Sequence, residues 1–331
     1  MEPQKPTQFF SGMNPEELKK IILKYEFWGI LFVVFFSALL LFSIPSSTTN
    51  FPQYFDVPKG SGLSQISNNL YEMGFIRSEL QFKMCAYLLG GHSHSVAGVY
   101  EFEKALGPCV LAKRISSGVF SISPVKITIP EGFLKSEIAL KFKDYPRFNK
   151  EIFLNIAPDG YLFPDTYFFN PNMTEKEVIE KMTNNFNNHI SPLEPQIVKS
   201  KRTLKEVIIV ASIVERETIF PEDRPKVAQV LWKRLDLGMP LQADATFAYI
   251  NGKGTFQLTD DDLKINSPYN TYNHVGLPPT PIGNPGLDAI KATITPSKTN
   301  YLYFLSDKAG HMYFAKTFEE HQTNREKYLG K

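Results

Sequence analysis

The chain has 331 residues, 43% of them hydrophobic and 13% aromatic, enough to bury one large core or two, so extended disorder is excluded. A formal net charge of +2 with no sustained basic block leaves no electrostatic footprint for nucleic acid. The two cysteines, Cys85 and Cys109, lack CxxC or Cys/His spacing, so neither a zinc site nor a disulfide-rich scaffold is indicated. One bridge between them and two separate buried thiols both fit the spacing.

"FWGILFVVFFSALLLFSI" runs from Phe27 to Ile44 without a charge. At about 18 residues it matches the hydrocarbon thickness of a bilayer, and it lacks the polar stripe of a core helix. A transmembrane helix over 27–45 is expected. A cleaved signal peptide is the rival, but its apolar region would be shorter and nearer residue 1, and "SIPSSTTN" is no A-x-A-like cleavage site. Lys19, Lys20 and Lys24 precede the span and no basic residue follows it until Lys59, so the tail over 1–26 is expected in the cytoplasm, with the rest extracytoplasmic.

After a polar, proline-containing linker comes a short strand at "YFDVP", a Lys-Gly-Ser-Gly turn, and a helix with Leu63, Ile66 and Leu70 on one face. "SELQFKMCAYLLGG" reads as a second helix, capped by Ser78 and stopped by Gly90. A strand near "AGVYEFE", a helix through "VLAKRISSG" and a strand through "VKITIP" complete a small α+β unit of roughly 80 residues. The unit spans 46–122 with its linker.

From 123 to 331 the pattern is a larger α+β domain of helices and long Pro/Gly/Asn loops. "LKSEIALKF" and "TEKEVIEKMTNNFNNHI" have helical period, and Thr174 with Glu177 forms a capping box. "RPKVAQVLWKRLDLG" places Val227, Val230, Leu231, Arg234 and Leu235 on one face and ends at Gly238. "NYLYFL", "SDKAG" and "HMYFA" read as a hairpin, followed by a last helix through "TFEEHQTNREKYLG".

In "TLKEVIIVASIVERET" residues Val207 to Val214 are apolar on every side, the mark of a helix inserted into a core. Ile208, Ala211, Ser212 and Glu215 share a face, and Glu217 lies about 200° away with Val210 and Val214. A carboxyl at the end of such a helix is desolvated, which raises its pKa and suits it to general acid work. The small residues beneath Glu215 are expected to leave room for a substrate, those beneath Glu217 not. A structural role for Glu215, paired with Arg216 or Arg224, is the competing reading. Downstream, "LQADATFAYI" carries Gln242 and Asp244, and the loop "SPYNTYNHVGLPPTPIGNPG" carries Tyr269, Asn270, Tyr272 and Asn273, aromatic faces and amides suited to a neutral, hydroxyl-rich ligand such as a glycan.

"ASIVERET", "LQADAT", "SPYNTYNHVGLPPTPIGNPG" and "YLYFLSDKAGHMYFAKTFEEH", with "IPEGF" at 129–133 and "DGYLFPDTYFF" at 159–169, resemble the YceG-like family, the endolytic murein transglycosylases. The unit beginning "VPKGSGLSQISNNL" is similar to that family's LysM-like subdomain. The resemblance implies cleavage within peptidoglycan strands, between N-acetylmuramic acid and N-acetylglucosamine, leaving 1,6-anhydromuramic ends. It carries the catalytic role to Glu215; the substrate contacts expected are Gln242 and Asp244 of the "LQADAT" motif and, from the residue types of the loop, Tyr269, Asn270 and Tyr272. The family commonly reads Ser or Thr, then Pro, around the aspartate where this chain has Ala243 and Ala245. One acid suffices if the muramyl C6 hydroxyl is the nucleophile, so no metal or cofactor is expected. The partners implied are peptidoglycan strands, the bacterial cytoplasmic membrane, and peptidoglycan synthases or division and elongation proteins. A hydrolase with Asp244 as second carboxylate and a tethered glycan-binding scaffold are the alternatives.

Overall fold

The computed structural model describes residues 14–43, 52–90 and 95–330, without the side chains of residues 15, 17, 18 and 38–43. The chain divides into two compact units, Met1–Ile122 and Ser123–Lys331.

The first unit begins with α1 (Pro15–Ser43). The expected span runs on to residue 45, which, like the linker as far as residue 51, lies outside the described residues. Among the described residues no helix is long and apolar enough to cross a membrane. The unit continues with β1 (Gln53–Val57), α2 (Leu63–Glu72), α3 (Glu79–Leu88), β2 (Gly98–Phe102) and α4 (Pro108–Ser117), and β1 pairs antiparallel with β2, Phe55 opposite Tyr100. Alternation puts Phe55, Val57, Tyr100 and Phe102 on one buried face of this ribbon, where Ile66 and Leu70 of α2, Phe82 of α3 and Leu111 and Ile115 of α4 pack on it. Ser78 accepts from the Gln81 amide as the α3 N-cap, and the Tyr100 hydroxyl donates to the Val96 and Ile115 carbonyls, so no buried polar group of that ring is left over. Cys85 on α3 and Cys109 on α4 are disulfide-bonded with Cα atoms 4.8 Å apart, which settles the pairing the spacing left open.

The second unit holds β3 (Val125–Thr128), α5 (Lys135–Leu140), α6 (Lys150–Ile156), β4 (Thr166–Phe169), α7 (Glu175–Ile190), α8 (Glu194–Ser200), α9 (Leu204–Glu217), α10 (Arg224–Asp236), α11 (Thr246–Ile250), α12 (Leu287–Ile294), β5 (Tyr303–Ser306), β6 (Met312–Ala315) and α13 (Phe318–Leu329). The architecture is α+β in both units. The strand at "VKITIP" does not belong to the small N-terminal unit: it is β3, and it pairs antiparallel with β4 within "DTYFF", a partner that its short, Pro-flanked run concealed. The Thr174/Glu177 capping box opens α7, and Thr203 with Glu206 forms another at the start of α9.

Helix α9 explains its own composition. One side packs Val207, Ile208 and Ala211 against Ile290 and Ile294 of α12, and the other packs Val210, Ile213 and Val214 against Val227 and Leu231 of α10. A helix with cores on both flanks has no solvent face to leave polar between its first and last turns. That last turn holds Glu215, Arg216 and Glu217, delivered rigidly to the surface of the core.

Candidate active site

The two glutamates enter different surroundings. Glu215 is clamped: its Oε1 accepts from Arg224 Nη2 at 2.6 Å and its Oε2 from the Gly286 amide at 2.9 Å. Both partners of the ion pair are almost out of solvent, at 8% and 6% side-chain exposure. Glu131 of "IPEGF" approaches the same guanidinium at 3.6 Å. Burial pushes the Glu215 carboxyl above its ordinary range, against the pull of the Gly286 amide and Arg224.

The room expected beneath Glu215 is filled by the chain itself, so that expectation is corrected. Ser212 leaves space, but its hydroxyl accepts from the Ile282 amide at 3.0 Å, and the "GNPG" segment lies down there. Asn284 then ties this segment to "IPEGF" and "DGYLF": its Oδ1 accepts from the Leu162 amide and its Nδ2 donates to the Phe133 carbonyl, while the Gly132 amide donates to its carbonyl. Gly283 passes so close that a Cβ there would stand 2.6 Å from the Gly132 carbonyl oxygen. The motifs "IPEGF" and "GNPG" therefore form a closed seam over Glu215.

Glu217, on the other side of α9, opens onto a cavity of about 290 Å³, near the lower end of the range for ligand pockets. Gln242, Asp244 and Tyr272 line it, together with residues of β5 and one stripe of α13. Glu217 Oε1 accepts from the Ala245 amide at 3.0 Å. Burial, then the charge of Asp244, pushes the Glu217 carboxyl up to about 7, with the Ala245 amide and Arg216 opposing. The Tyr272 hydroxyl donates a short hydrogen bond to Asp244 Oδ1, and burial together with that carboxylate holds the phenol far above its usual pKa. An acid that keeps its proton near neutrality, beside a carboxylate oriented by a phenol, is suited to protonating a leaving oxygen and to steadying positive charge.

Arg234 builds the floor. Its guanidinium donates to the Leu302 carbonyl at 2.8 Å, the Leu241 carbonyl at 2.7 Å and Gln242 Oε1 at 3.1 Å, and lies over the Tyr303 ring at 4.9 Å. It thereby fastens the hairpin to the "LQAD" turn. Gln242 holds a left-handed φ of 52°, a costly conformation for a non-glycine residue and one that recurs where a turn aims side chains at a ligand.

Two expected sugar contacts lie elsewhere. Asn270 is fully buried, its Nδ2 donating to the Leu263 and Ile265 carbonyls and its Oδ1 accepting from the Tyr272 amide; it shapes the loop that carries Tyr272. Tyr269 bonds Thr280 at 2.8 Å and packs against the Tyr249 ring, away from the cavity lining. Of the expected set, Gln242, Asp244 and Tyr272 meet around Glu217, and Glu215 does not join them. The signal for Glu217 was present in helical rotation, which puts it opposite Glu215, but which side is open depends on loops far away in sequence.

Comparison with known proteins agrees with these motifs. A model of the YceG-like family matches residues 55–327. The endolytic murein transglycosylase of Bacillus subtilis is 33% identical over 304 residues, 83% of this chain and 84% of that protein. The protein of the same name from Streptococcus pneumoniae strain D39 is 30% identical over 313 residues, and the alignment covers 81% of this chain and 57% of that longer protein. Among solved structures, a YceG-like protein from Listeria monocytogenes superposes with a TM-score of 0.53 at 31% identity, covering 83% of this chain and 99% of that one. With the motifs in order and the fold shared across this length, the chain belongs to the YceG-like family.

Proposed function

We propose that the protein is a membrane-anchored lytic transglycosylase that cuts peptidoglycan glycan strands internally, with Glu217 as its single general acid and base. The observation that carries the reading is the Glu217 carboxyl on an open cavity, held up to about 7 beside Asp244. The names of the relatives support the substrate. Glu217 donates its proton to the glycosidic oxygen as the bond to the muramyl C1 breaks. Its carboxylate then takes the proton of the C6 hydroxyl while that oxygen bonds to C1, which closes the 1,6-anhydro ring and restores the acid without consuming water. Asp244, kept in place by Tyr272, faces the positive charge that develops on the sugar ring.

The resemblance had carried the acid to Glu215, but its two carboxyl oxygens are taken by Arg224 and the Gly286 amide beneath the "GNPG" segment, and it does not line the cavity. Glu215 is the clamp that holds α9 to the loops. Asp244 lines the same cavity, which favours a two-carboxylate hydrolase as the second reading.

Anchoring rests on the uncharged run from Phe27 to Ile44, on Lys19, Lys20 and Lys24 before it, and on side chains such as Phe32 and Phe35, 66% and 63% exposed. The Cys85–Cys109 disulfide supports an oxidising compartment for the units that follow. Protease added to intact spheroplasts should digest the chain beyond the span and spare the N-terminal tail; the reverse pattern would overturn the orientation.

The chemistry is tested with full-length protein in detergent, by mass spectrometry of strands treated with wild type, Glu217→Gln and Glu215→Gln. Anhydro ends lost only in Glu217→Gln support the assignment. Loss only in Glu215→Gln returns the role to that residue. Reducing ends indicate hydrolysis with Asp244, and bound but uncut strands indicate a scaffold.

A further inference from the structure

Part of the lining of the cavity that holds Glu217 comes from α13, whose Phe318, His321, Arg325 and Leu329 fall on one helical stripe. Two of these four bear donors that the fold leaves unused. Among the described residues the Arg325 side chain makes no hydrogen bond or ion pair, and it is exposed to the cavity and to solvent. His321 rests its ring on Tyr303, with centroids 5.4 Å apart, while its buried Nδ1 has no hydrogen-bond partner among the described residues. The contrast with Arg234 is informative. That guanidinium, in the same cavity, is spent on carbonyls and on Gln242 and has a structural task.

A neutral glycan needs no cation here: ring faces and amides suffice to bind hydroxyls. An unpaired guanidinium at the rim, beside an imidazole with a free nitrogen, fits a carboxylate, which accepts from the planar fork in a bidentate manner. Asp244 is not that carboxylate, since it takes the Tyr272 hydroxyl and, among the described residues, makes no ion pair with Arg325.

We propose that Arg325, with His321 beside it, determines specificity by binding a carboxylate on the side arm of the sugar that occupies the cavity, so that the enzyme selects acid-bearing strands over neutral glycan. This rests on the proposed action on peptidoglycan, whose muramyl sugars carry an acidic lactyl or peptide arm. With Glu217, Asp244, Arg325 and His321 all lining one cavity, the arm fixes which sugar presents its C1 to Glu217. In the free protein burial, and then the charges of Arg325 and Arg234, hold His321 below its ordinary pKa, and a carboxylate bound between them would oppose that shift.

The test compares binding and cleavage of two preparations of the same strands, one untreated and one whose carboxylates are converted to carboxamides with carbodiimide and ammonia. Binding is measured with full-length Glu217→Gln protein, with and without Arg325→Gln, so that no turnover intervenes. The parent is expected to bind untreated strands about tenfold or more tightly than amidated ones, and the Arg325→Gln protein to bind both alike, at the weaker level. In the active enzyme the same change should raise KM and leave kcat nearly unaltered. Equal binding of both preparations by the parent, or a preference that survives Arg325→Gln, overturns the proposal. If wild type releases no ends from either preparation, the proposed activity falls, while the binding comparison still decides the role of Arg325.

Discussion

Arg224 and Glu215 meet at 2.6 Å with both side chains almost wholly buried, and their pair joins the end of α9 to the start of α10. Glu131 and the Gly286 amide complete the knot, so two segments distant in sequence join the α9–α10 junction at one carboxylate. Such a junction specifies a geometry more than it adds net stability, because both charges are costly to desolvate.

Breaking it from one side should therefore be severe. Glu215→Ala leaves Arg224 buried without its partner and is expected to cost about 3–5 kcal/mol. Adding Arg224→Met should restore a large part of that loss. Chemical denaturation of the two single variants and the double variant gives the coupling energy, and strictly additive losses would contradict the pairing.

Glu217 predicts a pH dependence of stability with a definite sign. Its folded pKa of about 7 lies above the ordinary carboxylate value of 4.5, so between those values the native state binds more protons than the unfolded chain. Stability from this group is intact below pH 4.5 and is lost as pH rises through 7. Glu217→Gln removes the buried charge and should be more stable than wild type at pH 8 by up to about 3 kcal/mol, with little difference at pH 4.5. Melting curves of both proteins across that range are the measurement, and a constant gap at all pH values would show that the carboxyl is not raised.

Ala245 offers a finer adjustment. Its amide donates to Glu217 and steadies the anion, a bond that the proline common at this place in the family cannot make. The φ of Ala245 is −54°, which a proline ring accepts. Ala245→Pro should fold normally and move the alkaline limb of kcat/KM upward by about one pH unit, since the acid form is lost later. An unmoved limb would mean that this hydrogen bond does not tune the proposed acid, Glu217.

In the first unit the disulfide closes a loop of 24 residues between helices that share one face of the β1–β2 ribbon. The chain-entropy account gives about 3–4 kcal/mol for a loop of this length. Replacing both cysteines by alanine should lower the stability of this unit by roughly that amount and leave the acid site of the second unit unchanged in activity per folded molecule. Reduction with dithiothreitol should have the same effect on wild type and none on the double variant.

Local chemistry made much of the molecule legible. Residues Val207–Val214 announce a buried helix because every face is apolar, Thr174 and Glu177 announce a helix start because two side chains satisfy orphan amides, and the hairpin at "SDKAG" follows from turn residues between two apolar runs. The pairing of β3 with β4 was not legible, because residues 129–165 separate two strands of only four residues each and no tight turn joins them.

The sequence by itself determined the family, the helix that bears the acids, and the rotation that sends Glu215 and Glu217 to opposite sides of it, since 3.6 residues per turn is a property of the backbone. Which side is open was decided only by tertiary structure. The space above Ser212 is occupied by Ile282 and the "GNPG" segment, whereas the space beside Glu217 is bounded by the Gln242 turn, β5 and α13 and stays empty of side chains. Burial and neighbouring charge, the quantities that set a carboxyl's pKa, are sums over residues brought together from the whole unit, and no local stretch contains them.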